Sequence, residues 1–230
     1  GSNAYTITID NADATGSTAT EFNTINSATT VAIDASAVTG LASDDIDDIT
    51  TLLTAAANDT KFEDGSFGNL ATVVVADTSL TATELTDAID DANTVTGGTD
   101  TVFTITAVDT ITGSEANFTT LLADEEAEQI SITDQDLTVT GTISVSTAND
   151  LNETTEGTVT ATIDADTTVD SLKTLEGTNA YTITIADADA TGSTATEFNT
   201  IDSATTVAID ASAVTGLASD DIDDITTLLT

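Results

Sequence analysis

Asp187-Ala-Asp189-Ala-Thr191-Gly192 opens as calcium-binding loops do. Oxygen donors on alternate residues can converge on one hard cation, and the glycine permits the sharp turn. An earlier stretch, Asn11-Ala-Asp13-Ala-Thr15-Gly16, has the same spacing. The twelfth position, where a bidentate acid would close an EF-hand loop, holds Phe198 or Phe22, with Glu197 and Glu21 one residue early. That departure breaks the EF-hand pattern and leaves a solvated acidic turn as the competing reading. Asp164-Ala-Asp166 and Asp134-Gln-Asp136 follow strand-like runs in the same manner, so acids are expected to stack along one edge. Like charges 4 Å apart in water repel by about 1 kcal/mol per pair. Relief must come from salt or divalent ions, which makes Asp13, Asp164, Asp166, Asp187 and Asp189 the candidate metal ligands and calcium the expected cofactor.

Other chemistry is weaker. Gly97-Gly98-Thr99-Asp100-Thr101 is reminiscent of glycine-rich calcium nonapeptides, but it occurs once and reads better as a turn. Paired carboxylates could in principle hydrolyse glycosides, yet a chain this rich in Asp produces such pairs by chance and has no Trp to stack a sugar. Thr6, Thr8, Thr104, Thr106, Thr182 and Thr184 occupy alternate positions of strand-like runs. They are expected either to form hydroxyl ladders, a surface suited to ice or polysaccharide, or simply to face solvent.

The alphabet narrows the function classes. Of 230 residues, 41 are acidic and two are basic, Lys61 and Lys173, for a formal net charge of -39. A phosphate backbone needs a basic footprint, so nucleic acid is excluded as a direct partner. Anionic membrane surfaces repel the chain for the same reason, and direct membrane insertion is not expected because no run of 18 apolar residues occurs. His, Cys and Met are absent. Without a histidine or thiol the commonest nucleophile and base pairs are missing, and no enzyme is expected. Even so, 39% of the residues are hydrophobic, too many for an acidic disordered tail.

The elements that position these residues come from repetition. Residues 1–54 recur as 177–230, an offset of 176, with 50 of 54 positions identical. The differences are Ser2/Thr178, Asp10/Ala186, Asn11/Asp187 and Asn26/Asp202. Residues 1–54 are thus the end of one 176-residue period and 177–230 their near-identical copy, which reads as a piece of a longer array. Within the period, alternating β-branched runs start near residues 5, 31, 72, 102, 130, 158, 181 and 207, and each has strand character. Short helical patterns follow at Ser43–Leu53, Thr83–Ala92 and Ser114–Ala123, with Ser43, Thr83 and Ser114 as expected N-caps. Phe22, Phe118 and Phe198 read as core. Strand, turn and short helix at this spacing require parallel pairing through crossovers. The predicted fold is α/β: a continuous right-handed parallel-strand solenoid over 1–230, about eight coils with short helices, each coil completing its neighbour's core. An all-β parallel β-helix is the alternative.

The stretches AYTITIADADATGSTATEF and TVAIDASAVTGLASDDIDDITTLL resemble repeats of the giant Thr/Asp-rich cell-surface proteins of marine bacteria, a group similar in style to the swimming-motility surface protein of marine cyanobacteria. The resemblance implies an exported, salt-adapted, array-forming protein of the cell surface. It carries over no catalytic residues. The function expected is a rigid acidic spacer or filament segment, whose partners are neighbouring repeats and other copies in a filament or surface layer. The alternative is a calcium-dependent, adhesin-type module that binds polysaccharide or surfaces.

Overall fold

The computed structural model describes residues 3–10, 16–58, 61–98, 101–186 and 192–229. Val159–Ile163, where aliphatic side chains alternate with threonine, sets the pattern. Val159, Ala161 and Ile163 are buried while Thr160 and Thr162 face out, as a strand with one covered face requires. The described residues form two compact units, 1–109 with 120–132 and 110–119 with 133–230.

In the first unit the strands are β1 (Ile7–Thr8), β2 (Ile33–Asp34), β3 (Gly40–Asp44), β4 (Thr72–Val75), β5 (Ser79–Thr81) and β6 (Val102–Thr104). β1 pairs with β2, and β3, β4 and β6 pair in that order, all in parallel. Its helices are α1 (Ala19–Ala28), α2 (Ile46–Ala56) and α3 (Ala82–Thr96). Phe67 lies edge-on to Phe22 and to Phe62, at centroid distances of 5.2 and 5.3 Å, in the middle of this core. The helix α4 (Glu115–Glu126) contributes residues to both units. In the second unit β7 (Thr110–Ser114), β8 (Asp136–Ile143), β9 (Val159–Ile163) and β10 (Ala180–Thr182) pair in parallel in chain order. Between and after them come α5 (Val145–Thr154), α6 (Val169–Leu172), α7 (Ala195–Ser203) and α8 (Ile222–Leu228).

The α/β class, the parallel pairing and the buried phenylalanines Phe22, Phe118 and Phe198 agree with the sequence expectation, and the helices displace the all-β alternative. Two N-caps move. Asp45 rather than Ser43 caps α2, because Ser43 belongs to β3, and Asp45 accepts the Asp47 N–H at 3.0 Å. Thr81 rather than Thr83 caps α3: its hydroxyl takes the Glu84 N–H and Glu84 returns to the Thr81 N–H, a reciprocal capping box. Ser114 does begin α4, accepting from the Asn117 N–H at 3.3 Å. Near residue 130 the expected strand reduces to one bridge, Phe103 with Ile130, and the regular strand starts at Asp136. Among the described residues no helix is long and apolar enough to cross a membrane.

Candidate functional site

Three of the candidate metal ligands, Asp13, Asp187 and Asp189, lie outside the described residues. Asp164 and Asp166 are exposed in the turn after β9, where the Asp164 carboxylate accepts the Asp166 N–H at 3.2 Å. The same Asx turn follows β2, where Asp34 accepts from Ser36, and recurs where Asp210 accepts the Ser212 N–H at 3.0 Å. Hydrogen bonds from the Ser36 hydroxyl and N–H hold Asp34 below its ordinary pKa, and Ser212 does the same for Asp210. An acid two residues before a turn N–H thus has a local structural use. Among the described residues no three acidic side chains converge as a metal-ligand set.

A different set of acids joins successive helices. Helix N-termini expose unpaired N–H groups and carry partial positive charge. Asp44 accepts the Thr20 N–H in the first turn of α1 at 2.6 Å, Asp77 accepts the Ile46 N–H of α2 at 2.8 Å, and Asp220 accepts the Thr196 N–H of α7 at 2.8 Å. Each donor lies 24 to 31 residues before its acceptor. Glu115 reaches the other way, taking the Ser144 N–H at 3.0 Å and the Thr147 hydroxyl at 2.8 Å at the start of α5. Burial tends to raise Asp44, but its bonds from Thr20, Asp45 and Thr18 outweigh that and hold it low. Glu115 and Asp220 are lowered first by the backbone N–H each accepts. Asp77 goes the other way, because burial and the neighbouring Asp45 charge prevail over the Ile46 N–H. A basic contribution comes from Lys173, which reaches Asp170 at 2.6 Å and Glu197 of α7 at 2.8 Å.

Buried threonines make a second kind of joint. The hydroxyls of Thr29, Thr101, Thr155 and Thr205 donate to backbone carbonyls 20 to 31 residues earlier: Tyr5 at 2.8 Å, Leu70 at 2.8 Å, Gln135 at 2.7 Å and Tyr181 at 2.6 Å. Three of them also accept a local N–H, from Val31, Gly157 and Val207. A hydroxyl that both donates and accepts satisfies two backbone groups where successive segments meet. This use was not legible in a chain with 54 threonines, since nothing local separates these four from the rest.

The outward threonines form the third feature. Thr6, Thr8, Thr106, Thr182 and Thr184 are exposed and Thr104 is half-buried. In the second unit the register aligns Thr142, Thr162 and Thr182 across β8, β9 and β10, all exposed, and sets Thr138 beside Thr160. One small cavity, about 150 Å³, is lined by Ile9, Ser17, Glu21, Phe22 and Ile25. In the second copy of the repeat, Ile185, Ser193, Phe198 and Ile201 are buried and Glu197 binds Lys173. The cavity is therefore a position that another segment fills in the equivalent place.

Asp124 of α4 stands apart. Burial, together with the Asp90 charge, pushes its pKa up to about 6, and its Oδ2 has no hydrogen-bond partner among the described residues. No protein family, curated protein or solved structure matches the chain.

Proposed function

We propose that this chain is a structural repeat module of a large extracellular, cell-surface protein: a solenoid whose coils run the length of the chain and whose product is a rigid acidic spacer or filament segment. The observation that carries this reading is the span of its cohesive contacts. The Asp44, Asp77, Glu115 and Asp220 caps and the Thr29, Thr101, Thr155 and Thr205 brackets each link residues 20 to 32 apart, one strand–helix segment to the next. A chain held together by nearest-neighbour joints gains length with each duplicated unit and loses nothing of its interior. The near-perfect duplication at an offset of 176 fits that mode of growth. High like charge keeps neighbouring rods apart in solution.

The register of Thr142, Thr162 and Thr182 favours a second reading, a calcium-dependent adhesin-type module that presents a hydroxyl face to polysaccharide. Binding of the 230-residue chain to immobilised polysaccharides, with and without calcium, separates the two. A spacer gives no saturable binding. Saturable binding that Thr142→Val, Thr162→Val and Thr182→Val together abolish replaces the spacer with the adhesin.

A further inference from the structure

The chain holds one 24-residue sequence twice, VAIDASAVTGLASDDIDDITTLLT at 31–54 and at 207–230. Any difference between the copies is a difference of surroundings. In the first copy Leu41, Ile46 and Leu53 are at most 3% exposed. Their counterparts Leu217, Ile222 and Leu229 are 39%, 70% and 80% exposed. Gly40–Asp44 is strand β3, whereas residues 216–220 form no strand.

The first copy also displays what covers it. Ile33 exchanges backbone hydrogen bonds with Lys61 and Glu63 at 3.2 and 2.9 Å, and the Ala71 and Ala76 N–H groups bond the Thr39 and Asp44 carbonyls at 2.9 and 2.8 Å. Leu41 registers with Val73 of β4. Asp77 caps α2, and the Thr54 hydroxyl donates to Asp91 of α3 at 2.9 Å. Residues 61–91 therefore supply a strand edge, an apolar layer and a carboxylate aimed at the helix N-terminus.

We propose that the face built by residues 207–229 is a docking surface for a polypeptide segment with the sequence chemistry of residues 61–91, that is, a further repeat of this chain's own kind. The recognition is specific: parallel backbone pairing at 209–220, burial of Leu217, Ile222 and Leu229, and an incoming Asp on the Ile222 N–H. A generic apolar ligand offers the second of these alone. The inference holds whether the repeats serve as spacer or as adhesin, because it rests on the paired copies and not on what the assembled protein does.

Hydrogen exchange read by mass spectrometry tests it, since identical sequences share the same intrinsic exchange rates. In the 230-residue chain, peptides from the shared sequence should give two mass populations, one from 31–54 and one exchanging at least about tenfold faster from 207–230. A variant in which the sequence of residues 55–98 is appended after Thr230 should give one slow population. A second appended segment, with Asp at the positions equivalent to Val73 and Leu85, should restore the fast one. Two populations persisting in the first variant would overturn the proposal. So would a fast population that vanishes as the concentration of the unmodified chain rises, because a second whole copy would then be the occupant.

Discussion

Replacing Thr155 by valine keeps the shape of the side chain and removes its hydroxyl, which makes it the sharpest probe of the threonine joints. The hydroxyl donates to the Gln135 carbonyl at 2.7 Å, approaches the Thr133 carbonyl at 3.1 Å and accepts the Gly157 N–H at 2.9 Å, in a residue that is buried. A buried backbone group left without its partner costs about 1–3 kcal/mol. Thr155→Val is therefore expected to lose about 2 kcal/mol, a fall in Tm of roughly 4–8 °C for a chain of this size. Thr155→Ser keeps the hydroxyl and loses one buried methyl, about 0.8 kcal/mol. Urea unfolding of both variants, beside Thr160→Val on the exposed face of β9 as a control within about 0.5 kcal/mol, ranks the effects. Valine at least as stable as serine would refute the bridging role, because packing alone would then account for the site.

Further outcomes follow from the charges and the close contacts. The folded-state pKa of Asp124, about 6, lies above the unfolded carboxylate value, so this site's contribution is fully present at low pH and is lost as pH rises through about 6. Asp124→Asn should raise Tm at pH 7.5 and change it little at pH 3.5, and a uniform shift at both would exclude titration as the cause. With a net charge of -39, Tm should climb as sodium chloride increases, because screening relieves repulsion among exposed acids. A calcium site among the candidate acids adds a saturable rise over magnesium at equal ionic strength, and identical curves for the two cations would remove it. Gly157→Ala should destabilise strongly, because a Cβ there collides with the Gln135 carbonyl and the Asp136 N–H across the joint. Thermal melts read the loss, and an unchanged Tm would mean that the two segments do not approach so closely.

Periodicity made part of the fold legible. Thr72–Val75 and Val159–Ile163 read as strands because β-branched residues alternate there, and both are strands. Gly40–Asp44 did not, since Gly, Ala, Ser and Asp have little strand preference. Pairing with β4 imposes the strand, and the same five residues at 216–220 adopt none. Tyr5 and Tyr181 teach the same lesson: one sequence context, yet Tyr5 is 53% exposed while Tyr181 is buried with its hydroxyl donating to the Ala148 carbonyl at 3.2 Å. Burial pushes the Tyr181 phenol up to about 12. The caps Thr81 and Asp45 were missed because several adjacent residues could cap, and the choice depends on where the preceding strand ends. Nothing local singles out Asp44, Asp77 and Asp220 among 41 acidic residues. Their partners sit 24 to 31 residues away, beyond any local pattern.

Length against repeat number is the most direct measurement. Small-angle scattering from chains carrying one, two and three 176-residue periods gives their maximum dimension. Six coils stacked at the strand spacing of about 4.8 Å should add roughly 29 Å with every period, at unchanged cross-section. Radii of gyration that instead rise only as about the 0.38 power of chain length would mean compact bodies, and a spacer built by stacking would be wrong.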